Sequence, residues 1–411
     1  MTSSTVPTLP QQTLVPWRNA IFAIFVLSGI SVASWVSRTP TVRDELDLTT
    51  AGVGLLILSM SAGSIVGLTL SPTVMGYLGA RRGMAVSLVI CAAGLAVLGI
   101  GADAFGSVPL AFIGMVFLGL GNGACDVMMN IEGAANEKEI GKTLMPLFHA
   151  FFSFGTVAGA GLGAGASAIG LPVAVHLPII AVIVAVGVVI AVRYVPVRDE
   201  LDAHAAQAIV GAPLRTRDRL ASRLTVWRDP RLILIGVIML GMAFAEGSAN
   251  DWMTLAMVDG HDVDPTTAAI VFGIFVVSMT VGRVAGGPVL DRFGRVPVLQ
   301  ASAGLAVVGI LLFILSPIDA LVVVGAVLWG LGSSLGFPVG MSAAADGPNP
   351  TARVSSVATI GYVAFLVGPP VLGFLGDAFG ILNALFVVLV LVVLAGAASP
   401  AARTRAPQDA R

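Results

Sequence analysis

The sequence predicts an all-α membrane protein: twelve transmembrane helices in two six-helix bundles. Three observations predict it. Twelve long, nearly uncharged apolar runs each approach or exceed the roughly 20 residues that a helix needs to cross a hydrocarbon core. The chain is 56% hydrophobic and 11% charged, with a mean hydropathy of +0.96, which no soluble domain shows. The longest polar connection, 195–230, divides the runs six and six. The expected organisation is a bundle over 1–194, a cytoplasmic linker over 195–230 and a bundle over 231–411.

The spans fall at 17–37, 51–77, 84–101, 108–133, 143–169 and 173–194 in the first half. A polar, proline-containing stretch of sixteen residues precedes the first span. It carries no basic side chain, so it lacks the positive start of a cleaved signal peptide, and the first span is expected to be retained. Arg81-Arg82 separates the second span from the third. Residues 143–192 hold no charge apart from two histidines and are too long for one span. Gly170-Leu171-Pro172 supplies the break, because proline removes a donor and clashes with the preceding turn. The linker is rich in arginine, and its stretch Leu214–Trp227 is either a basic amphipathic helix on the inner membrane face or a solvated connection. The second half places spans at 231–257, 266–290, 297–316, 320–344, 354–376 and 381–399. Pro338 is expected to kink the tenth, and Gly368-Pro369-Pro370 the eleventh.

Charge sets the orientation. With a cytoplasmic N-terminus, 19 of the 22 basic residues lie in inner connections and tails. The outer connections hold Arg38 and Arg43 together with acids such as Asp44, Asp103, Asp259, Asp262 and Asp319. The reverse orientation would invert the positive-inside bias, so both termini are expected in the cytoplasm. Cys91 and Cys125 fall inside spans and read as free, buried thiols rather than a disulfide.

The halves repeat. Phe117-Leu118-Gly119-Leu120-Gly121-Asn122-Gly123 in the fourth span answers Leu328-Trp329-Gly330-Leu331-Gly332-Ser333-Ser334 in the tenth. Gly76-Tyr77-Leu78-Gly79-Ala80-Arg81-Arg82 answers Asp291-Arg292-Phe293-Gly294-Arg295. Parallel six-span repeats point to a transporter whose two bundles rock about a central site. Polar residues concentrate in spans one, four, seven and ten, the expected cavity lining, since polar groups in hydrocarbon normally face protein or water.

Candidate residues follow from that lining. Asn122, Asp126 and Asn130 share one face of the fourth span at i, i+4, i+8, and His149 lies at a similar depth on the fifth. Asp126 with His149 reads either as a proton-carrying pair or as a structural lock. Glu246, halfway along the seventh span, has no cation near it in sequence and is a coupling candidate, with Asn250 one turn on. Asp251 and Trp252 read as outer gate or interface residues. Ser31 and Trp35 on the first span and Ser333 on the tenth complete the substrate-binding candidates. Trp35 reads equally as a sugar-stacking ring or an interfacial anchor.

Gly287-Pro288-Val289-Leu290-Asp291-Arg292-Phe293-Gly294-Arg295, preceded by Arg283, resembles the G-x-x-x-D-R-x-G-R loop signature of the major facilitator superfamily. The resemblance covers essentially the whole chain. It implies alternating access, with Gly287, Asp291, Arg292, Gly294, Arg295 and Arg283 at an inner gate. Three departures stand out. Gly76 replaces the acid of the first-half loop. Met115 and Phe117 occupy the positions where many members carry a fourth-span arginine, and the fifth span lacks the Gly-Pro of antiporters. Gly123–Asn130, Pro146–His149, Phe152–Gly155 and Glu246–Trp252 are similar to a bacterial inner-membrane branch near the fucose-permease-like symporters. That implies proton-coupled symport of a small polar organic solute such as a sugar, by a monomer in the cytoplasmic membrane. The alternative is proton-coupled efflux of amphipathic compounds. No Walker motif is present, so ATP does not power it within this chain. No enzyme activity, cofactor, metal or nucleic-acid partner is expected.

Overall fold

The structure, a computed structural model, describes residues 11–141, 144–197, 229–346 and 350–403. Lipid offers no partner to a backbone amide, so each spanning segment satisfies its own amides as a helix. Helix α1 is Gln11–Val36, and a short α2, Thr39–Glu45, follows it. Helix α3, Thr50–Gly99, carries two of the expected spans. Gly79, at φ 70° and ψ 164°, breaks the helical path between them. The remaining helices of the first half are α4 (Val108–Ile140), α5 (Met145–Ala168) and α6 (Val173–Ala191). The second half holds α7 (Pro230–His261), α8 (Pro265–Phe293), α9 (Arg295–Leu315), α10 (Asp319–Ser333), α11 (Gly336–Ala345), α12 (Pro350–Phe379) and α13 (Ile381–Ala398). Among the described residues, eleven segments are long and apolar enough to cross a membrane; one of them holds the second and third runs together.

Local chemistry explains the helix ends. Asp229 and Asp264 cap α7 and α8, each followed by proline at the first helical position, where its missing N–H costs nothing. Asp264 accepts from the Thr266 and Thr267 amides at 2.9 and 3.1 Å and from the Thr267 hydroxyl at 2.6 Å. Gly141, with φ 71°, ends α4 in the left-handed conformation.

Two expectations change. The fourth span was expected to end near residue 133, yet α4 continues to Ile140 and buries Glu132 and Asn136 on the way. The tenth span is broken, not merely kinked: α10 stops at Ser333 and α11 begins at Gly336. Pro338 has no N–H to return to the Ser334 carbonyl, which opens the helix there. The linker stretch Leu214–Trp227 lies outside the described residues.

The described chain clusters into two units. One holds the chain up to Trp35, then Ser59–Leu162, and continues from Gly170 into the linker. The other holds Val36–Leu58, Gly163–Ile169 and everything from Asp229 onward. The second unit thus includes the end of α1, all of α2, the start of α3 and the end of α5. There Arg43 pairs with Asp259 and, at 2.7 Å, with Asp44. The Thr254 hydroxyl donates to the Val36 carbonyl at 3.1 Å, and Arg38 donates to the Ser167 hydroxyl at 3.1 Å. Burial alone would lower the Arg43 pKa, but the two carboxylates hold it above its ordinary value.

The internal repeat is a repeat of helix crossings. In the first unit, Gly119 lies against Met60 and Gly121 against Ser87 and Cys91, on the two legs of α3. In the second, Gly330 lies against Phe275 and Ser278 of α8, and Gly332 against Ser302 and Ala306 of α9. Gly94 with Gly114, and Gly309 with Gly325, likewise meet backbone to backbone. Each crossing has no room for a Cβ, so small residues set the helix separation.

Candidate functional site

In the first unit, Asn122, Asp126 and Asn130 follow one another along α4. Ser28 of α1 donates to Asn122 Oδ1 at 2.6 Å. One and two turns on, Asn130 Nδ2 donates to the Asp126 carbonyl at 2.8 Å and to Asp126 Oδ1 at 3.3 Å. Asn122, Asp126 and Asn130 are all partly accessible. They make a polar stripe of two amides and a carboxylate inside an apolar helix.

The expected pair of Asp126 with His149 does not form. The Asp126 carboxylate bonds Asn130, while the exposed His149 ring lies edge-on to Phe25, centroids 5.4 Å apart. The expectation rested on similar depth along the hairpin. Depth does not fix rotation about the helix axis, and that decides whether two side chains meet. Two first-span candidates also turn away from open space. Ser31 donates to the Leu27 carbonyl at 2.8 Å, and Trp35 is 1% exposed.

In the second unit, Glu246 is not unpaired. Arg283 of α8 places Nη2 2.6 Å from Glu246 Oε1. Its Nε also reaches the Ser334 carbonyl at 3.4 Å, in the gap between α10 and α11. The three groups come from α7, α8 and the break between α10 and α11. Pro338 frees a carbonyl, Arg283 supplies a donor, and Glu246 balances the charge. Arg283 therefore belongs to this mid-span cluster rather than to the gate motif that follows it in sequence. Sequence-local reading misses the pair because 37 residues separate its members. Ser333, beside the break, is 1% exposed, and its hydroxyl has no hydrogen-bond partner among the described residues. Asn250 is partly accessible and likewise makes no side-chain hydrogen bond there.

Asp251 was discounted by sequence and is prominent in the structure. Phe244, Gly247, Ser248 and Asp251 line one stripe of α7, and Ala364, Phe365, Gly368 and Pro369 of α12 face them. Together they enclose a small cavity of about 10 Å³. Asp251 makes no hydrogen bond or ion pair among the described residues. The signal available in sequence was the proline pair in the eleventh span, of which Pro369 lies in the facing wall and carries no amide donor.

The gate motif behaves differently from its resemblance-based reading. Asp291 and Arg292 are exposed, and Asp291 forms no ion pair among the described residues. Arg292 lies 5.3 Å from the Phe293 ring centroid. Gly287 faces open space, whereas Gly294, with φ 77°, is required by the turn into α9. Arg295 pairs with Asp346 and donates to the Ser342 hydroxyl at 2.8 Å. Nearby, Arg353, 1% exposed, pairs with Asp229 at 2.5 Å. Arg231 donates to the Ala401 and Arg403 carbonyls at 2.8 and 2.6 Å. Asp229 and Asp346 were not singled out in sequence, since connecting-loop acids there look like ordinary solvated charges.

A family model for the Major Facilitator Superfamily matches residues 20–262 and 248–411. The chain belongs to the Major Facilitator Superfamily. As a member it is a multi-pass membrane protein and a secondary transporter. Among superfamily relatives, the uncharacterised transporter y4wD of Sinorhizobium fredii is 29% identical over 389 residues, covering 94% of this chain and 98% of its own. The membrane protein MosC of Rhizobium meliloti is 24% identical over 385 residues, covering 93% and 89%. Among solved superfamily structures, a point mutant of the nucleoside transporter NupG superposes with a TM-score of 0.75 at 16% identity, covering 95% of this chain and 99% of its own. The fucose:proton symporter FucP of E. coli gives 0.59 at 16%, covering 96% and 100%. At these identities the superpositions establish the fold.

Proposed function

We propose that this protein moves a small polar organic solute across the bacterial cytoplasmic membrane, coupled to the proton gradient, by alternating access. The observation that carries this reading is the polar stripe of α4. Asn122, Asp126 and Asn130 offer donors and acceptors on one face of a membrane helix, with Ser28 of α1 fixing the first of them. Amide and carboxylate groups in register suit a solute bearing several hydroxyls or a heterocyclic edge, and suit an amphipathic hydrocarbon poorly. NupG is a nucleoside transporter and FucP a fucose:proton symporter. Both cargoes have this chemistry, which supports the class without choosing a member. Glu246 with Arg283, Asn250 and Ser333 supply further polar groups on the second-half helices.

The test is uptake into proteoliposomes with an imposed pH gradient, inside alkaline, using a labelled panel of sugars, nucleosides and an amphipathic dye. Accumulation of a sugar or nucleoside above its equilibrium level, abolished by a protonophore, is expected. Asn122→Ala should raise the solute concentration needed for half-maximal uptake. Extrusion of the dye with no accumulation of any polar solute would overturn the reading in favour of efflux.

A further inference from the structure

We propose that Asp251, and not Glu246, is the carboxylate that binds and releases the coupling proton; this rests on the proton-coupled reading above. The two acids lie five residues apart on α7. At 100° per residue they point about 140° from each other. Glu246 faces α8 and is neutralised by Arg283 at 2.6 Å. A carboxylate held by an arginine has little reason to change its charge during a cycle. Asp251 faces α12 and meets no cation among the described residues. Its cavity is lined by Phe244, Phe365, Pro369, small residues and one hydroxyl, Ser248. No other charged or titratable side chain lines it. An ionised carboxylate without a partner is costly to keep in such surroundings, and a proton removes that charge without needing space.

The cavity suits a proton better than a solute. It is small, with room for about one water molecule, which is enough for a relay and too little for a sugar ring. Ser248, one turn before Asp251, is the nearest group able to hand a proton on.

The cavity is also placed to sense movement. Pro369 forms part of its wall, and the same residue's carbonyl lies against Gly54 of α3; a Cβ built on Gly54 would stand 2.8 Å from that oxygen. Gly373, one turn further along α12, lies against both Gly54 and the Trp252 ring. A shift of the start of α3 against α12 therefore moves the wall that faces the Asp251 carboxyl. In the step envisaged, a proton from water on one side adds to a carboxylate oxygen, giving the neutral acid. After the wall moves, the same proton leaves to water on the other side.

The experiment needs no substrate. Infrared difference spectra of the protein in liposomes, taken between acidic and alkaline buffer, report the C=O stretch of any carboxyl that gains a proton. The wild type should show such a band, and Glu246→Gln should keep it. Asp251→Asn should lose it, Asp251→Glu should displace it, and Ser248→Ala should shift its midpoint. Helical content and melting temperature of each variant check that it is folded. If Asp251→Asn does not fold, the Asp251→Glu displacement decides. A band that persists in Asp251→Asn, is unmoved in Asp251→Glu, or vanishes only in Glu246→Gln overturns the assignment and leaves the transport reading standing. Absence of pH-driven uptake by the wild type, with the band following Asp251, overturns the coupled reading instead.

Discussion

Arg283 joins Glu246 of α7 to the Ser334 carbonyl exposed where the tenth span breaks. One guanidinium thereby ties the middle of α7 to the end of α10 through α8. Removing one partner strands a partly buried charge, while removing both does not. Glu246→Gln and Arg283→Met should each lower stability by about 2 kcal/mol, a value discounted for partial exposure. The double variant should fall short of their sum by about 0.5–3 kcal/mol. Thermal unfolding of the four proteins in one detergent measures the cycle; strict additivity would show that the contact contributes nothing.

Asp229 and Asp264 cap successive helices but should fail differently. Asp264 is exposed, and Asp264→Ala should cost about 1 kcal/mol, the ordinary worth of a cap. Asp229→Ala loses a cap and also leaves the buried Arg353 without its carboxylate, so it should cost clearly more. Matched melting curves test the ranking, and equal losses would count against the Arg353 contact.

Acid should expose the Asp264 cap. Its hydrogen bonds from Thr267, hydroxyl and amide, hold the carboxyl below its ordinary value. The stabilisation is therefore fully present above the unfolded-state pKa of about 3.9 and is lost as pH falls through the lower folded value. Asp264→Ala should flatten that part of the acid limb of a stability–pH profile; an unchanged limb would rule the cap out as its source.

The paired crossings predict a pattern among glycines. Gly121→Ala and Gly332→Ala should each lower the melting temperature, because a Cβ there meets the backbone of the neighbouring helix. Gly161→Ala, on the helix that also carries Gly155 and Gly159, meets nothing within 4 Å. It should be neutral or gain about 0.5–1 kcal/mol from better helix propensity. Destabilisation at Gly161 equal to that at Gly332 would contradict the geometry.

Charge asymmetry predicts topology. Single cysteines at positions 138 and 262, in a background lacking Cys91 and Cys125, should react with an impermeant thiol reagent from opposite sides. Position 138 should react from the cytoplasmic side and position 262 from outside. Labelling of position 262 from the cytoplasm would reverse the orientation.

Spans, the Gly170-Leu171-Pro172 break and the duplicated glycine pattern were legible in the sequence because each depends on local composition or on a register that repeats. The break at Pro172 needed nothing beyond neighbouring residues. The site was legible only where one helix supplies it, as along Asn122, Asp126 and Asn130. Contacts between helices were not. Glu246 looked alone because Arg283 is distant in the chain, and Asp126 looked paired because its spacing from the hairpin turn matches that of His149, which does not fix whether the side chains meet. Asp251 was set aside for lying near the outer end of its span, when its solitude depends on which residues of α12 face it.

The two acids of α7 also differ electrically. Glu246 with Arg283 is neutral overall, so a membrane voltage exerts almost no net force on that part of the helix. Asp251 is different: empty, it carries one negative charge, and loaded, it carries none. Displacing a full charge through the whole field is worth about 2.3 kcal/mol per 100 mV. Voltage would then act on the empty carrier and spare the loaded one. An inside-negative potential would drive the empty carboxylate toward the outer face, where it reloads, and currents recorded from the reconstituted protein would carry the signature of its return stroke.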